Sequence, residues 1–484
     1  MLSGEALPDG EMGRAMSSTA YVSVGSGGPG PSGGAPGLVE TITGHLGPGA
    51  EYLPVVSGSW PPYDHVNVQG GIDRWLASAD GSHRLLGLTG FRHRLFGLAD
   101  LCQPGGDQNM RIGGIAMRDF PSGPDDAVTS CVQCGLYLYE DGDLRVAVLL
   151  RGSDQRGPQP DVTLEVVATD PDAARALLSG VRALAVEHSV YRRQVVSFGD
   201  EAFGPARGGL LAFHPRPRLG REELILPGGL LEGIERQIVG VARHREALLG
   251  YGQHLKRGVL LYGEPGVGKT HTVRYLISSL PELTVLILSG PALRFIREAC
   301  SVARSLQPSL LVIEDVDLIA EDRAMHPGSS PLLFQLLNEM DGLGDDIDVT
   351  FVLTTNRVDV LEPALASRPG RIDHAAEIPL PDAEGRRRLL ALYQGGLTLE
   401  LADPEHILER TQGVTASFLK ELLRRAALIA LEEREAREER EKREETTDAE
   451  PSLRVSDEHL NAALDVLLGD GSRLTRKLLG GGTT

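Results

Sequence analysis

Along the chain, the pattern of apolar and polar positions changes character several times. Residues 1–50 show no periodicity. Gly, Pro and Ser dominate there, as in GSGGPGPSGGAPG at 25–37. Such a stretch buries too little apolar surface to offset the entropy lost on ordering it, so it is expected to be disordered. From 51 to 220 the pattern is mixed. GLYLYEDGDLRVAVLLRG (135–152) reads as two strands about Asp141-Gly142, and VTLEVVATD (162–170) and YRRQVVSF (191–198) read as further strands. DPDAARALLSGVRALAVEHS (170–189) opens on Asp-Pro and continues at helical spacing. These elements predict an N-terminal α+β domain over 51–220, with no catalytic motif. The Gly and Pro residues of GPARGGL and HPRPRLG (204–220) predict a linker or hinge at its end.

From 221 onward, apolar runs alternate with helical stretches. RGVLLYG (257–263), LTVLILSG (283–290), SLLVIED (309–315) and DVTFVLTTN (348–356) are short and apolar on both faces. That is the signature of parallel strands covered by helices on either side, and it predicts an α/β domain over 221–380. Beyond IPLPDAEGR (378–386) the pattern is helical, with TASFLKELLRRAALIALEE (415–433) and VSDEHLNAALDVLL (455–468) both amphipathic. A helical domain is therefore expected over 381–470. EEREAREEREKREETTDAE (432–450) is a charge run, read as a solvated helix extension or flexible insert. Residues 471–484 form a tail, and no internal repeat is evident.

The loop after the first of these strands is Gly263-Glu264-Pro265-Gly266-Val267-Gly268-Lys269-Thr270, followed by His271. It satisfies G-x-x-x-x-G-K-[ST] in the context the motif needs, a buried strand before it and a helix after it. Its glycines let main-chain N–H groups curl around a phosphate, and the helix N-terminus adds positive potential. Lys269 can reach the β- and γ-phosphates, and the Thr270 hydroxyl can ligate Mg²⁺. ATP and Mg²⁺ are thus the expected ligands. One strand later, SLLVIEDVD ends in the acids Glu314 and Asp315. Asn356 closes the strand FVLTTN, and ALASRPGRIDH (364–374) carries Arg368 and Arg371.

Composition narrows the functional classes. Lys and Arg number 48 against 67 Asp and Glu, a net charge of −19. This disfavours a general nucleic-acid or anionic-membrane binder, which needs cations at phosphates. No apolar run approaches the ~20 residues of a spanning helix, and MLSGEALPDGEMGRAMSS has no secretory pattern, so a cytoplasmic location is expected. The four cysteines are Cys102, Cys131, Cys134 and Cys300. Cys131 and Cys134 form a lone C-x-x-C; Cys102 and His93 lack the spacing to complete a zinc site, and two ordinary thiols are expected.

Together the phosphate loop, LTTNRVDVLEPALASRPGRID (353–373) and PLPDAEGR (379–386) make residues 221–470 resemble the AAA subfamily of AAA+ ATPases. The resemblance implies an α/β ATPase domain with a helical lid, in a homo-oligomer that is usually a hexameric ring with ATP between subunits. It implies that Glu314 assists the metal, that Asp315 activates water, that Asn356 orients it, and that Arg368 and Arg371 reach the neighbouring subunit's γ-phosphate. It also implies adenine contacts near ILPGG (225–229) and GVTASFL (413–419), where Ala416 stands in place of the usual Gly. The family's Asp-Glu order is inverted here. Asp is shorter than Glu by one methylene, about 1.3–1.5 Å of reach. The same Glu-Asp order is similar to that of the mitochondrial clade that translocates the Rieske iron–sulfur protein. Only Pro291-Ala-Leu-Arg-Phe-Ile296 occupies the position of an aromatic pore loop, and Phe295 reads as a buried helix position. RLTRKLLGGGTT lacks the hydrophobic-Tyr-any-residue ending that docks proteasomal members on their protease. Two functions are compatible with these features: ATP-driven remodelling of a protein client chosen by the N-terminal domain, and a nucleotide-gated scaffold with little turnover.

Overall fold

The computed structural model describes residues 37–91, 96–103, 110–153, 160–198, 211–317, 332–342, 344, 346–358, 372–441 and 453–468. Chain contacts divide these between two compact units, one formed by the described residues up to Val190 and the other by those from Tyr191 onward.

The first unit is a β-sheet with helices on both faces. In chain order its elements are α1 (Leu38–Leu46), β1 (Val56–Trp60), α2 (His65–Ser78), β2 (Ser82–Thr89), α3 (Leu98–Cys102), β3 (Arg111–Gly113), β4 (Ala116–Pro121), β5 (Val128–Asp141), β6 (Leu144–Arg151), β7 (Val162–Ala168) and α4 (Pro171–Glu187). The strands run antiparallel in the order β1-β7-β6-β5-β2-β3, with β4 also paired to β5. Because successive side chains of a strand face opposite ways, β5 sends Tyr137 and Tyr139 to the core under α2 and α4, and Leu136 and Leu138 to the core under α1 and α3. Asp170 caps α4, accepting from Asp172 N at 3.0 Å. Helix α1 corrects the expectation of disorder through residue 50. Its Leu38, Ile42 and Leu46 are buried on the sheet, and at about 1.5–3 kcal/mol per fully buried side chain that face orders a segment whose local composition argues against order.

The second unit is built on β8 (Val195–Phe198), β9 (Leu211–His214), α5 (Leu230–Glu235), a π-turn (Arg236–Gly240), α6 (Val241–Arg243), α7 (Arg245–Gly250), β10 (Arg257–Tyr262), α8 (Lys269–Ser279), β11 (Thr284–Leu288), α9 (Ile296–Ser305), β12 (Ser309–Ile313), α10 (Leu332–Asp341), β13 (Val349–Thr355) and β14 (His374–Glu377). Strand order is β14-β10-β13-β12-β11-β8-β9, parallel throughout except for β9. Strands β8 and β9 differ from the expectation that 51–220 is one domain ending in a linker. β8 extends the parallel sheet beyond β11, with Val195 beside Val285, and β9 closes it antiparallel. Arg216, within the expected hinge, donates to the carbonyls of Ile277, Leu280, Leu283 and Arg193 at 2.8–3.2 Å. It thereby adds a donor to carbonyls at the end of α8 and ties the segment to the sheet.

The helical part of this unit contains α11 (Ala383–Tyr393), β15 (Thr398–Glu400), α12 (Pro404–Arg410), α13 (Ala416–Glu441), β16 (Arg454–Ser456) and α14 (Asp457–Leu468), around a core that includes Phe418, Leu419, Leu422, Ile407, Leu460 and Leu464. Ala430 is buried, and after it residues 432–438 of α13 are exposed. The charge run thus begins as a solvated helical extension, and residues 442–450 of it lie outside the described residues.

Candidate nucleotide site

Strand β10 ends beside Thr355 of β13 and Glu377 of β14 and delivers the chain into the glycine loop. Gly263, Gly266 and Gly268 have φ of 147°, 83° and 115°, values that an L side chain disfavours. At Gly263 a Cβ would also lie 2.3 Å from Ile378 O. The loop can therefore keep this path only with glycine, and it ends at the N-terminus of α8. Lys269 Nζ donates to Gly263 O and Glu264 O, each at 2.8 Å. Burial lowers the Lys269 pKa, opposed by the charges of Asp315, Asp317 and Glu264. The His271 ring pairs with Glu223 O at 3.2 Å.

The acids sit at the exit of β12. Glu314 N donates to Leu288 O of β11 at 2.9 Å, so the strand continues one residue further on that side. Burial raises the Glu314 pKa above its ordinary value, and an interaction with the Thr270 side chain opposes the rise. Asp315 then turns left-handed, with φ of 51°. Its N–H goes to Thr354 Oγ1 at 3.1 Å, while the Thr354 carbonyl receives Val316 N–H at 2.9 Å. One residue is thus taken up as a bulge, and its left-handed position favours Asp or Asn over Glu, whose longer side chain cannot bond back to the local main chain. Asp315 Oδ1 accepts from Asn356 Nδ2 at 3.2 Å. The structure brings Lys269, Thr270, Glu314, Asp315 and Asn356 together. Arg368 and Arg371 lie outside the described residues.

Sequence reasoning gave no role to Thr354, Thr355 or Asp317. Asp317 is buried; its Oδ1 accepts from Thr355 Oγ1 at 2.8 Å and from Asn356 N at 3.4 Å. Its place two residues after Asp315 on a strand exit was the available signal.

A cleft beside the loop is lined by Ile225, Leu226, Pro227, Val267, Asp382 and Ala416 among others. It joins the two segments implied to contact adenine. The helical part also touches the phosphate loop directly, Ser417 N donating to Gly266 O at 3.1 Å. Phe295 is half-buried and stacks on Phe198 with centroids 5.5 Å apart.

Residues 259–380 match the family model of the AAA ATPases, the ATPase family associated with various cellular activities. The chain carries an AAA domain. It is 30% identical over 267 residues to the proteasome-activating nucleotidase of Pyrococcus horikoshii, covering 52% of this chain and 62% of that protein. It is 32% identical over 228 residues to the 26S proteasome regulatory subunit 8 homolog of Schizosaccharomyces pombe, covering 42% and 56%. It is 34% identical over 214 residues to the human ATPase family gene 2 protein homolog A, covering 41% and 24%. The chain therefore spans less than two thirds of these relatives. An AAA domain implies nucleotide binding.

Elsewhere, the cysteines behave as packed thiols. Burial pushes Cys131, Cys134 and Cys300 up to about 12 and Cys102 up to about 11. Cys134 lies in the core under α1 and α3, and for Cys131 the charges of Asp73 and Asp119 add to the effect of burial. Among the described residues no cluster of three or more His, Cys, Asp and Glu could hold a metal; His93 lies outside them. None of the described helices is long and apolar enough to cross a membrane.

Proposed function

We propose that this chain hydrolyses ATP at the interfaces of a homo-oligomeric ring, hexameric as in the family it resembles, and uses the resulting motion to remodel a protein client bound by the first unit, in the cytoplasm. The observation that carries this reading is the Asn356 Nδ2–Asp315 Oδ1 bond at 3.2 Å, beside the phosphate loop that carries Lys269 and Thr270. A hydroxyl and a carboxylate are hard oxygen donors of the kind Mg²⁺ takes, so Thr270 and Glu314 fit that ion, which would neutralise charge on the phosphates when bound. Lys269 and the main-chain N–H groups of 264–270 hold the phosphates. Asp315, oriented by Asn356, takes a proton from the water that attacks the γ-phosphorus, and the bond to the β,γ-bridging oxygen breaks to give ADP and phosphate. Arg368 and Arg371 act on the neighbouring subunit's nucleotide.

The test is steady-state ATP turnover of size-checked protein beside Asp315→Asn, Glu314→Gln and Lys269→Ala. Wild-type turnover, with an Asp315→Asn variant that binds ATP but does not hydrolyse it, supports the reading; Glu314→Gln as the binding-competent dead variant would reverse the two acids' roles. Wild-type binding without turnover above Lys269→Ala would favour a nucleotide-gated scaffold. The stacking of Phe295 on Phe198, which withholds the one aromatic at the pore-loop position, is what favours that second reading.

A further inference from the structure

Asp315 and Asn356 are both exposed, and a solvent-facing pair joined by one 3.2 Å bond has little to fix its geometry. What fixes it lies beneath. Thr355 is fully buried and Asp317 is 8% exposed. Arg357 N donates to Thr355 Oγ1 at 3.0 Å, Thr355 Oγ1 donates to Asp317 Oδ1 at 2.8 Å, and Asn356 N approaches the same Oδ1 at 3.4 Å. Three successive main-chain or side-chain groups of the β13 exit thus converge, directly or through one hydroxyl, on a single carboxylate from the β12 exit.

A buried carboxylate costs several kcal/mol unless it is hydrogen-bonded, and an apolar side chain would close the space without that cost. We infer that Asp317 and Thr355 are positioning residues for the water-activating pair: they clamp the Asn356 main chain so that its amide meets Asp315. This inference rests on Asp315 being the base. It adds that catalytic alignment is set from a buried acid two residues further along the same strand exit, and that Thr355 supplies a hydroxyl rather than mere volume.

The test uses the full chain with Asp317→Ala, Asp317→Asn, Thr355→Val and Thr355→Ser, read by ATP turnover, by binding of a fluorescent ADP analogue and by amide hydrogen exchange. A displacement of ~1 Å at a reacting group costs ~10²-fold, so Asp317→Ala and Thr355→Val are expected to lower kcat by roughly 10- to 100-fold while KM and ADP-analogue affinity change by no more than about twofold. Asp317→Asn keeps an acceptor oxygen and should retain more rate than Asp317→Ala; Thr355→Ser should restore most of what Thr355→Val loses. Exchange at the Asn356 amide should quicken in Asp317→Ala with the α8 amides unchanged. Unaltered kcat in both Asp317→Ala and Thr355→Val, or loss of nucleotide affinity and thermal stability in proportion to rate, would overturn the inference. If Asp317→Ala does not fold, the near-isosteric Thr355→Val decides. If the wild type shows no turnover, the hydrolysis reading fails on its own, and amide exchange at Asn356 still decides whether the clamp exists.

Discussion

Replacing Asp315 by Glu restores the acid that the resemblance leads one to expect, and the structure predicts that it harms the enzyme. Asp315 occupies a left-handed conformation with φ of 51°. That region costs an ordinary L residue about 1–2 kcal/mol, and Asp and Asn tolerate it best. Glu would bring that strain and would also extend the carboxylate by about 1.3–1.5 Å, past the 3.2 Å bond to Asn356. Because ~1 Å of misplacement costs ~10²-fold, Asp315→Glu should lower kcat by roughly 10- to 100-fold and stability by about 1 kcal/mol, with nucleotide affinity retained. Asp315→Gly separates the two effects. It relieves the backbone and removes the base, so it should unfold at the same temperature as wild type or higher while losing turnover. The assay is coupled ATP turnover alongside thermal unfolding and ADP-analogue binding. An Asp315→Glu variant as fast and as stable as wild type would refute the argument that the bulge selects the shorter acid.

Four further outcomes follow from the packing. Asp348→Ala strands the Arg257 guanidinium, 3% exposed and paired to Asp348 Oδ1 at 3.0 Å; denaturant unfolding should show a loss of about 3–5 kcal/mol, and joint replacement of both residues by apolar ones much less. Arg216→Ala removes four hydrogen bonds to main-chain carbonyls and should cost about 1–3 kcal/mol, with faster amide exchange in β8 and β9. His65 is fully buried and its pKa is lowered to about 4 by desolvation. Its folded pKa lies below its unfolded one, so its contribution is complete above pH ~6.5 and falls by up to about 3 kcal/mol as pH drops toward 4; His65→Gln should remove that part of the slope in unfolding measured at pH 7.5 and 5. Thiols pushed up to about 12, as at Cys131, Cys134 and Cys300, should resist iodoacetamide at pH 7.5 in native protein and react in denaturant.

What could be read from the sequence was whatever local pattern determines. The strands β10 to β13 are apolar on both faces because helices cover both, and the glycine loop is recognisable because its path forbids side chains. The errors share a cause. Helix α1 is nine residues between glycines, too short to hold by propensity, and it forms because the sheet offers it a face. Strands β8 and β9 are four residues each; β8 joins the second sheet by pairing with β11, about ninety positions away in Val195 and Val285, and β9 joins it through β8. The sequence pattern reads β8 as a strand but places it in the first domain, and reads the segment of β9 as linker, since nothing within a window of ten residues carries the partner's identity. The Cys131–Cys134 spacing alone did not make a site, and both thiols are buried.

The inverted acids make sense as one arrangement with the bulge rather than as two substitutions. Glu314 still pairs with β11 through Leu288 O, so its side chain starts from strand geometry, and the longer acid reaches further toward the phosphate loop. The next residue leaves the strand left-handed, and there the shorter acid is the one the backbone tolerates. Exchanging the two would put a short side chain where length is needed and a long one where the main chain is strained. The double variant Glu314→Asp/Asp315→Glu should therefore fall below either single replacement in turnover. Recovery of the wild-type rate in the double variant would mean that the order is neutral and that the bulge follows whichever acid it is given.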